Sequence, residues 1–348
     1  MTMNKNPLPS EESESLILRA EQHLKGLLSV VFEHTDKERA LLVYDTGCLL
    51  SSILAEAYKR SLPDATVVDF NKQTPEEILE VLGKLEASDL AVLVQSTSFR
   101  LDAFRIRVEL FKRKIKVIEH PHLSRMTDEE APYYIDALAY DADYVRGTGR
   151  ALKRKIDVAS SGVVDSGGEL LFYDSPFESA KLNIGDYSEM PNTGGQFPIG
   201  EVFTESQDLK ALHGRAKIFC FGDIDYKINR PETPITLIIE QGQVVACENS
   251  TPAFDNILSN IRRDEGTVWV RELGFGLNRA LSTTRTIADT GSYERMCGVH
   301  VSLGAKHGMY GKPGFKRRDG KYHVDVFVDT QSFTLDDEVV YRDGAWIV

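Results

Sequence analysis

The stretch Tyr322-His323-Val324-Asp325-Val326-Phe327-Val328-Asp329 sets an imidazole and a carboxylate two residues apart among aromatic and β-branched residues. Such a segment forms a strand, whose side chains alternate between faces. His323 and Asp325 therefore share one face while Val324 and Val326 take the other. An imidazole beside a carboxylate on a rigid strand is half of a divalent-metal site. Three groups upstream can complete it: Glu201, Glu272 and His300. Glu201 ends Phe197-Pro198-Ile199-Gly200-Glu201, where proline and glycine bend the chain and turn the carboxylate into a cleft. Glu272 follows Val268-Trp269-Val270-Arg271. On strict alternation Val268, Val270 and Glu272 share a face and Arg271 points away, so the carboxylate closes an apolar row and needs a metal or another cation. Gly274 and Gly276 beyond it let backbone pass close to a ligand or a strand. His300, in Gly298-Val299-His300-Val301-Ser302, shares its face with two small residues that leave room before the ring. His120-Pro121-His122 is a competing cluster; its proline interrupts a strand, and it reads as a loop.

The elements that must position these groups divide into two kinds. Up to about residue 156, short apolar runs alternate with helical stretches. Strands are expected at 40–44, 65–69, 90–94 and 116–119, and helices at 49–60, 74–85 and 103–114. Thr74, Pro75 and two acids open the second helix. This pattern predicts a doubly wound, mostly parallel sheet. Residues 128–154 read as helical and as the link between halves. From about 157 onward, strand-like runs are joined by Gly-containing turns such as Gly167-Gly168 and Gln241-Gly242. Strands are expected at 170–173, 217–221, 267–271, 299–303 and 322–328, with a helix at 252–263. The predicted fold is thus α/β. An α/β Rossmann-like scaffold domain (1–156) precedes an α+β domain (157–348) whose mixed or antiparallel sheet carries the site.

Composition narrows the function further. A length of 348 residues suits two domains, and 42% hydrophobic with 27% charged residues is that of a globular protein. A net charge of −12 argues against nucleic acid or an anionic membrane as partner. No apolar run reaches the roughly 20 residues of a membrane span. The acidic N-terminus lacks the form of a signal peptide, and Cys48, Cys220, Cys247 and Cys297 form no Cys-x-x-Cys pair. A cytoplasmic protein is expected. Neither Gly-x-Gly-x-x-Gly nor a Gly-Lys-Ser/Thr phosphate loop follows the first strand, so the first domain is expected to be scaffold rather than a nucleotide site.

In order, Pro-x-Gly-Glu-Val-Phe-Thr, Glu-Leu-Gly-x-Gly-x-Asn, Val-His-x-x-Leu-Gly and His-x-Asp resemble the metal-dependent aminopeptidases of the aminopeptidase T and aminopeptidase S type. The match runs over about residues 195–330; Ser96-Thr97-Ser98 agrees in the first domain. The resemblance implies metal-ligand roles for Glu201, Glu272, His300, His323 and Asp325. It also implies two divalent cations (Zn²⁺, Co²⁺ or Mn²⁺) that activate a water against a small peptide or related amide. Glu201 or Glu272 would bridge the ions or act as base. The chain departs from the family in two places. His307 stands where the family carries a tyrosine that steadies the oxyanion, with Tyr310 three residues on, and both are candidate catalytic residues. Gly311-Lys-Pro-Gly-Phe-Lys-Arg-Arg-Asp319 replaces a Gly-Gly-Asn-x-Ser stretch. Two other readings accompany this one. The first is a mononuclear Fe(II) dioxygenase of the 2,5-dihydroxypyridine type, which shares His323 and Asp325 but has histidine in place of Glu272. The second is an inactive binding protein built on a relic metal site. A homodimer is the expected assembly.

Overall fold

The computed structural model describes residues 11–101, 104–312, 315 and 320–348. The chain forms two compact units. One takes in the chain up to Tyr140 together with Asp186–Pro198; the other comprises Asp141–Gly185 and Ile199–Val348. The helix Ala142–Ile156, read from sequence as the end of the first half, belongs to the second unit.

The first unit is built on a five-stranded parallel sheet. Its order is Thr66–Asp69, Ala40–Tyr44, Leu90–Val94, Lys116–His120, Gly194–Gln196. The helices Leu49–Ser61, Pro75–Gly83 and Ile106–Lys112 alternate with its first four strands. Leu90 to Val94 is buried along its whole length, as a strand covered on both faces must be. The helix at Pro75 starts where it does because the Thr74 hydroxyl accepts from the Glu77 N–H while the Glu77 carboxylate accepts from the Thr74 N–H. Residue 103 of the predicted 103–114 helix lies outside the described residues. Two features escaped the sequence reading. His120 ends a strand instead of lying in a loop, because Pro121 falls just beyond the last ladder position. Gly194–Gln196, with no β-forming residue, adds the fifth strand. A Cβ on Gly194 would lie 1.9 Å from the Val117 carbonyl oxygen, so only glycine allows this approach.

The second unit is one large sheet in which the named strands pair only antiparallel. Its central order is Leu212–Gly222, Val324–Val328, Gly298–Leu303, Val270–Gly276, Glu201–Glu205. The helix Pro252–Glu265 is capped by Thr251 and stopped by Gly266, whose φ of +81° suits glycine. Two strand boundaries differ from expectation. The strand predicted at 267–271 runs Val270–Gly276, so Glu272 sits inside it rather than at its end. The last site strand begins at Val324, leaving His323 just outside. Among the described residues, no helix is long and apolar enough to cross a membrane.

Candidate metal centre

Directly opposed residues of an antiparallel pair project to the same face of a sheet. The register opposes Asp325 to Ser302, His300 to Gly274, and Gly276 to Glu201. His300 and Ser302 are two residues apart, as are Gly274 and Gly276, so these six positions line one face across four strands. The sequence pattern had placed small residues around His300, and the sheet supplies a further one in front of it. A Cβ on Gly274 would lie 2.1 Å from His300 Nε2, so glycine is what admits the ring.

Glu272 arrives by a different route. The pairing of Val270 with Leu303 and of Leu273 with Val301 leaves one extra residue on the Glu272 strand, a β-bulge opposite Ser302. The Glu272 N–H donates to the Ser302 hydroxyl at 3.0 Å. The bulge breaks the alternation assumed from sequence. Arg271 is buried rather than turned out, and it ion-pairs with Glu205 and donates to the Ala305 carbonyl at 2.9 Å. Among the described residues Glu272 pairs with no arginine, and its carboxylate faces three imidazoles. They are His307 Nδ1 at 3.4 Å, His300 Nε2 at 3.8 Å and His323 Nε2 at 4.0 Å.

His323, half-buried, points Nδ1 at the Lys306 carbonyl 3.0 Å away. A carbonyl only accepts, so Nδ1 carries the proton and Nε2 is turned to Asp325 Oδ1 at 3.1 Å. Orienting one ring nitrogen through a backbone carbonyl is how metal-binding histidines are commonly held. His300 Nε2 also lies 3.4 Å from Glu201 Oε1. Glu201 follows Gly200, whose φ of +117° makes the bend read from sequence.

Two residues in the cluster were not anticipated. Arg295 Nη1 donates to Glu201 Oε2 at 2.7 Å and bonds to the neighbouring Glu294 carboxylate. They follow the short helix Thr290–Tyr293, capped by Asp289. In sequence a Glu-Arg pair looks like an ordinary surface ion pair, and no local signal marks it for burial.

Tyr310 stands apart from the ligand groups: its hydroxyl donates to the Ser179 carbonyl at 2.8 Å, and its ring centre lies 5.2 Å from that of His307. His120 and His122 lie in the first unit. Of the divergent stretch 311–319, residues 313, 314 and 316–319 lie outside the described residues.

The electrostatics are those of a pocket short of positive charge. Burial alone would lower the pKa of His300, yet contact with Glu201 and Glu272 raises it to about 10. For His323, burial is likewise outweighed, chiefly by Asp325, and the pKa reaches about 10. Asp325 and Glu201 are pushed up by burial but end below the ordinary carboxylate range, Asp325 through His323 and Glu201 through Arg295 and His300. Burial raises Glu294 to about 8. His307 goes the other way, to about 3, through burial and the positive charges of His323, Arg271 and Lys312, so it is neutral. The protons on His300 and His323 answer the same carboxylates that a metal cation would.

The donor set fits a divalent ion. His300 Nε2, His307 Nε2 and Asp325 Oδ1 are buried without a hydrogen-bond partner. Each such atom costs about 1–3 kcal/mol unless something binds it. One ligand atom each from Glu272, His300 and Asp325 lies within 4.8 Å of the others, and the same holds for Glu201, Glu294 and His300.

No model of a known family matches the chain, and no curated protein matches it in sequence. Among solved structures it is similar to wild-type AmpT from Thermus thermophilus, with a TM-score of 0.56 and 13% identity over 95% of this chain and 99% of that one. At that identity the likeness is one of fold alone.

Proposed function

We propose that the protein is a divalent-metal-dependent hydrolase of aminopeptidase type, acting on a short peptide or a related small amide. One observation carries the reading: His300 and Asp325, buried, bring ligand atoms together with Glu272, and His323 Nε2 faces Asp325 at 3.1 Å and Glu272 at 4.0 Å. The fold likeness to AmpT and the ordered motifs resembling metal-dependent aminopeptidases support it. Glu272, His300, His323 and Asp325 would hold the ion; imidazole and carboxylate without thiolate suits Zn²⁺, Co²⁺ or Mn²⁺. Such an ion lowers the pKa of water and polarises a carbonyl.

Neutral His307 turns Nδ1 toward Glu272 at 3.4 Å and leaves Nε2 able to accept from a water; a pKa of about 3 suits it to orienting that water rather than to taking its proton. Tyr310, its hydroxyl engaged with backbone, is left a supporting role behind His307. Elemental analysis of protein purified without chelator or metal-binding tag, followed by dipeptide and aminoacyl-amide hydrolysis, tests the reading. Bound Zn, Co or Mn with chelator-sensitive release of amine is expected. Metal-loaded protein that cleaves no member of either library sinks it.

Imidazole and carboxylate donors without thiolate also admit a second reading, a mononuclear Fe(II) dioxygenase. Oxygen uptake by anaerobically Fe(II)-loaded protein with dihydroxypyridines or catechols decides that case; no uptake removes it.

A further inference from the structure

We infer that Arg295 stands where a second metal ion would sit, so that the site holds one exchangeable divalent cation, at Glu272, His300, His323 and Asp325. This rests on the metal-site reading above and departs from the two-ion site that the sequence resemblance implies.

Among the described residues, two groups have the composition to take a cation, Glu201–Glu294–His300 and Glu272–His300–Asp325. They share His300 and differ in what already balances them. In the first, a single guanidinium nitrogen, Arg295 Nη1, binds Glu201 Oε2 at 2.7 Å and Glu294 Oε1. Arg295 is only 5% exposed, and a guanidinium does not lose its proton in a protein. The positive charge there is permanent and sits on the oxygens a metal would need. A divalent ion entering that group would have to displace the arginine or face it at close range away from water, where like charges repel most. In the second group, among the described residues, no arginine or lysine forms an ion pair with Glu272 or Asp325. Asp325 Oδ1 faces the His323 imidazole, whose proton a metal can replace, and Arg271, the nearest candidate in sequence, is committed to Glu205 and to backbone carbonyls.

Arg295 therefore has a positioning role. It holds Glu201 and Glu294 in place and closes their side of the site to metal. The consequence for chemistry is a single Lewis-acid centre beside an organic cation, in place of a pair of ions sharing a bridging carboxylate.

The test counts metal on the full chain. Protein is stripped with chelator, reloaded with excess Zn²⁺ or, separately, Mn²⁺, and passed over a desalting column. Metal is then measured per chain, with circular dichroism to verify folding. One equivalent is expected in the wild type, in Arg295→Lys, which keeps the charge, and in Glu201→Gln, which removes a carboxylate that the inference excludes from the ion. Folded Arg295→Ala, with the Glu201 carboxylate uncompensated and Glu294 free to ionise against a cation, is expected to bind two. Two equivalents in the wild type would overturn the inference, as would one in a folded Arg295→Ala. Glu201→Gln, which keeps the test open should Arg295→Ala not fold, overturns it by losing metal. No bound metal in the wild type would instead remove the metal reading itself.

Discussion

Each unit buries a histidine completely, and the two are opposites. In the first unit His120 is 0% exposed at the end of a central strand. Its Nε2 lies 2.7 Å from the Tyr58 hydroxyl and its Nδ1 2.9 Å from that of Tyr134, which itself donates to the Phe197 carbonyl at 2.8 Å. Tyr134 must then accept from Nδ1–H, and Nε2 accepts from Tyr58. Every ring atom able to bond is used, the imidazole is neutral, and burial lowers its pKa to about 3. In the second unit His300 is 1% exposed, its Nε2 has no hydrogen-bond partner, and carboxylates raise its pKa to about 10. Burial does not separate a structural histidine from one poised for a ligand. Hydrogen-bond satisfaction and the sign of the surrounding charge do.

The sharpest way to break this contrast is to remove Glu272, which faces three imidazoles. Glu272→Ala is expected to weaken Zn²⁺ binding on the order of 100-fold in a calorimetric titration. His120→Phe should leave it within about threefold. Comparable losses in both variants would mean that the histidine of the first unit is no mere support.

Gly274→Ala attacks the space in front of His300. The new Cβ would lie 2.1 Å from Nε2, so ring or strand must move. A loss of about 1–3 kcal/mol in urea denaturation is expected, together with weakened metal binding. A stable variant with intact binding would show that the strand yields more easily than the register suggests.

The two regions should also differ in their response to pH. For His300 and His323 the folded pKa of about 10 lies above the ordinary value of about 6.5. Their stabilising contribution is whole below about pH 6.5 and is lost as pH rises through 10. For His120 the folded value of about 3 lies below the ordinary one, so its neutral form stabilises above pH 6.5 and that gain is lost as pH falls toward 3. Melting curves of chelator-treated protein should therefore fall at both ends. His323→Gln is expected to shrink the alkaline limb and His120→Phe the acid one. An alkaline limb untouched by His323→Gln would contradict the assigned charge.

The smallest effect is reserved for Tyr310→Phe, which deletes the bond to the Ser179 carbonyl. About 1 kcal/mol of stability should be lost, with metal content unchanged and activity lowered at most a few-fold. A fall of several orders of magnitude in turnover would restore the tyrosine to the chemistry.

Much of this was legible in the chain. The runs at 40–44 and 90–94 matched the observed strands because five apolar residues bounded by polar ones have few alternatives. Thr74 and Glu77 announced a helix start through bonds spanning three residues. Glu201 was singled out by a bend, His300 and Asp325 by alternation along a strand, and the set of five with Glu272 and His323 by short motifs, all of them local properties. What sequence could not reach was set by pairing over distance. Gly274 opposes His300 only through the register of two strands, and the bulge that buries Arg271 arises in that same pairing. Arg295 meets Glu201 across 94 residues of chain, and no neighbour of either announces the other. Residue type and spacing determined which groups were able to do chemistry. Tertiary structure decided which of them are already neutralised and which still lack a partner, because charge balance in a buried site depends on every group the fold brings within a few ångströms.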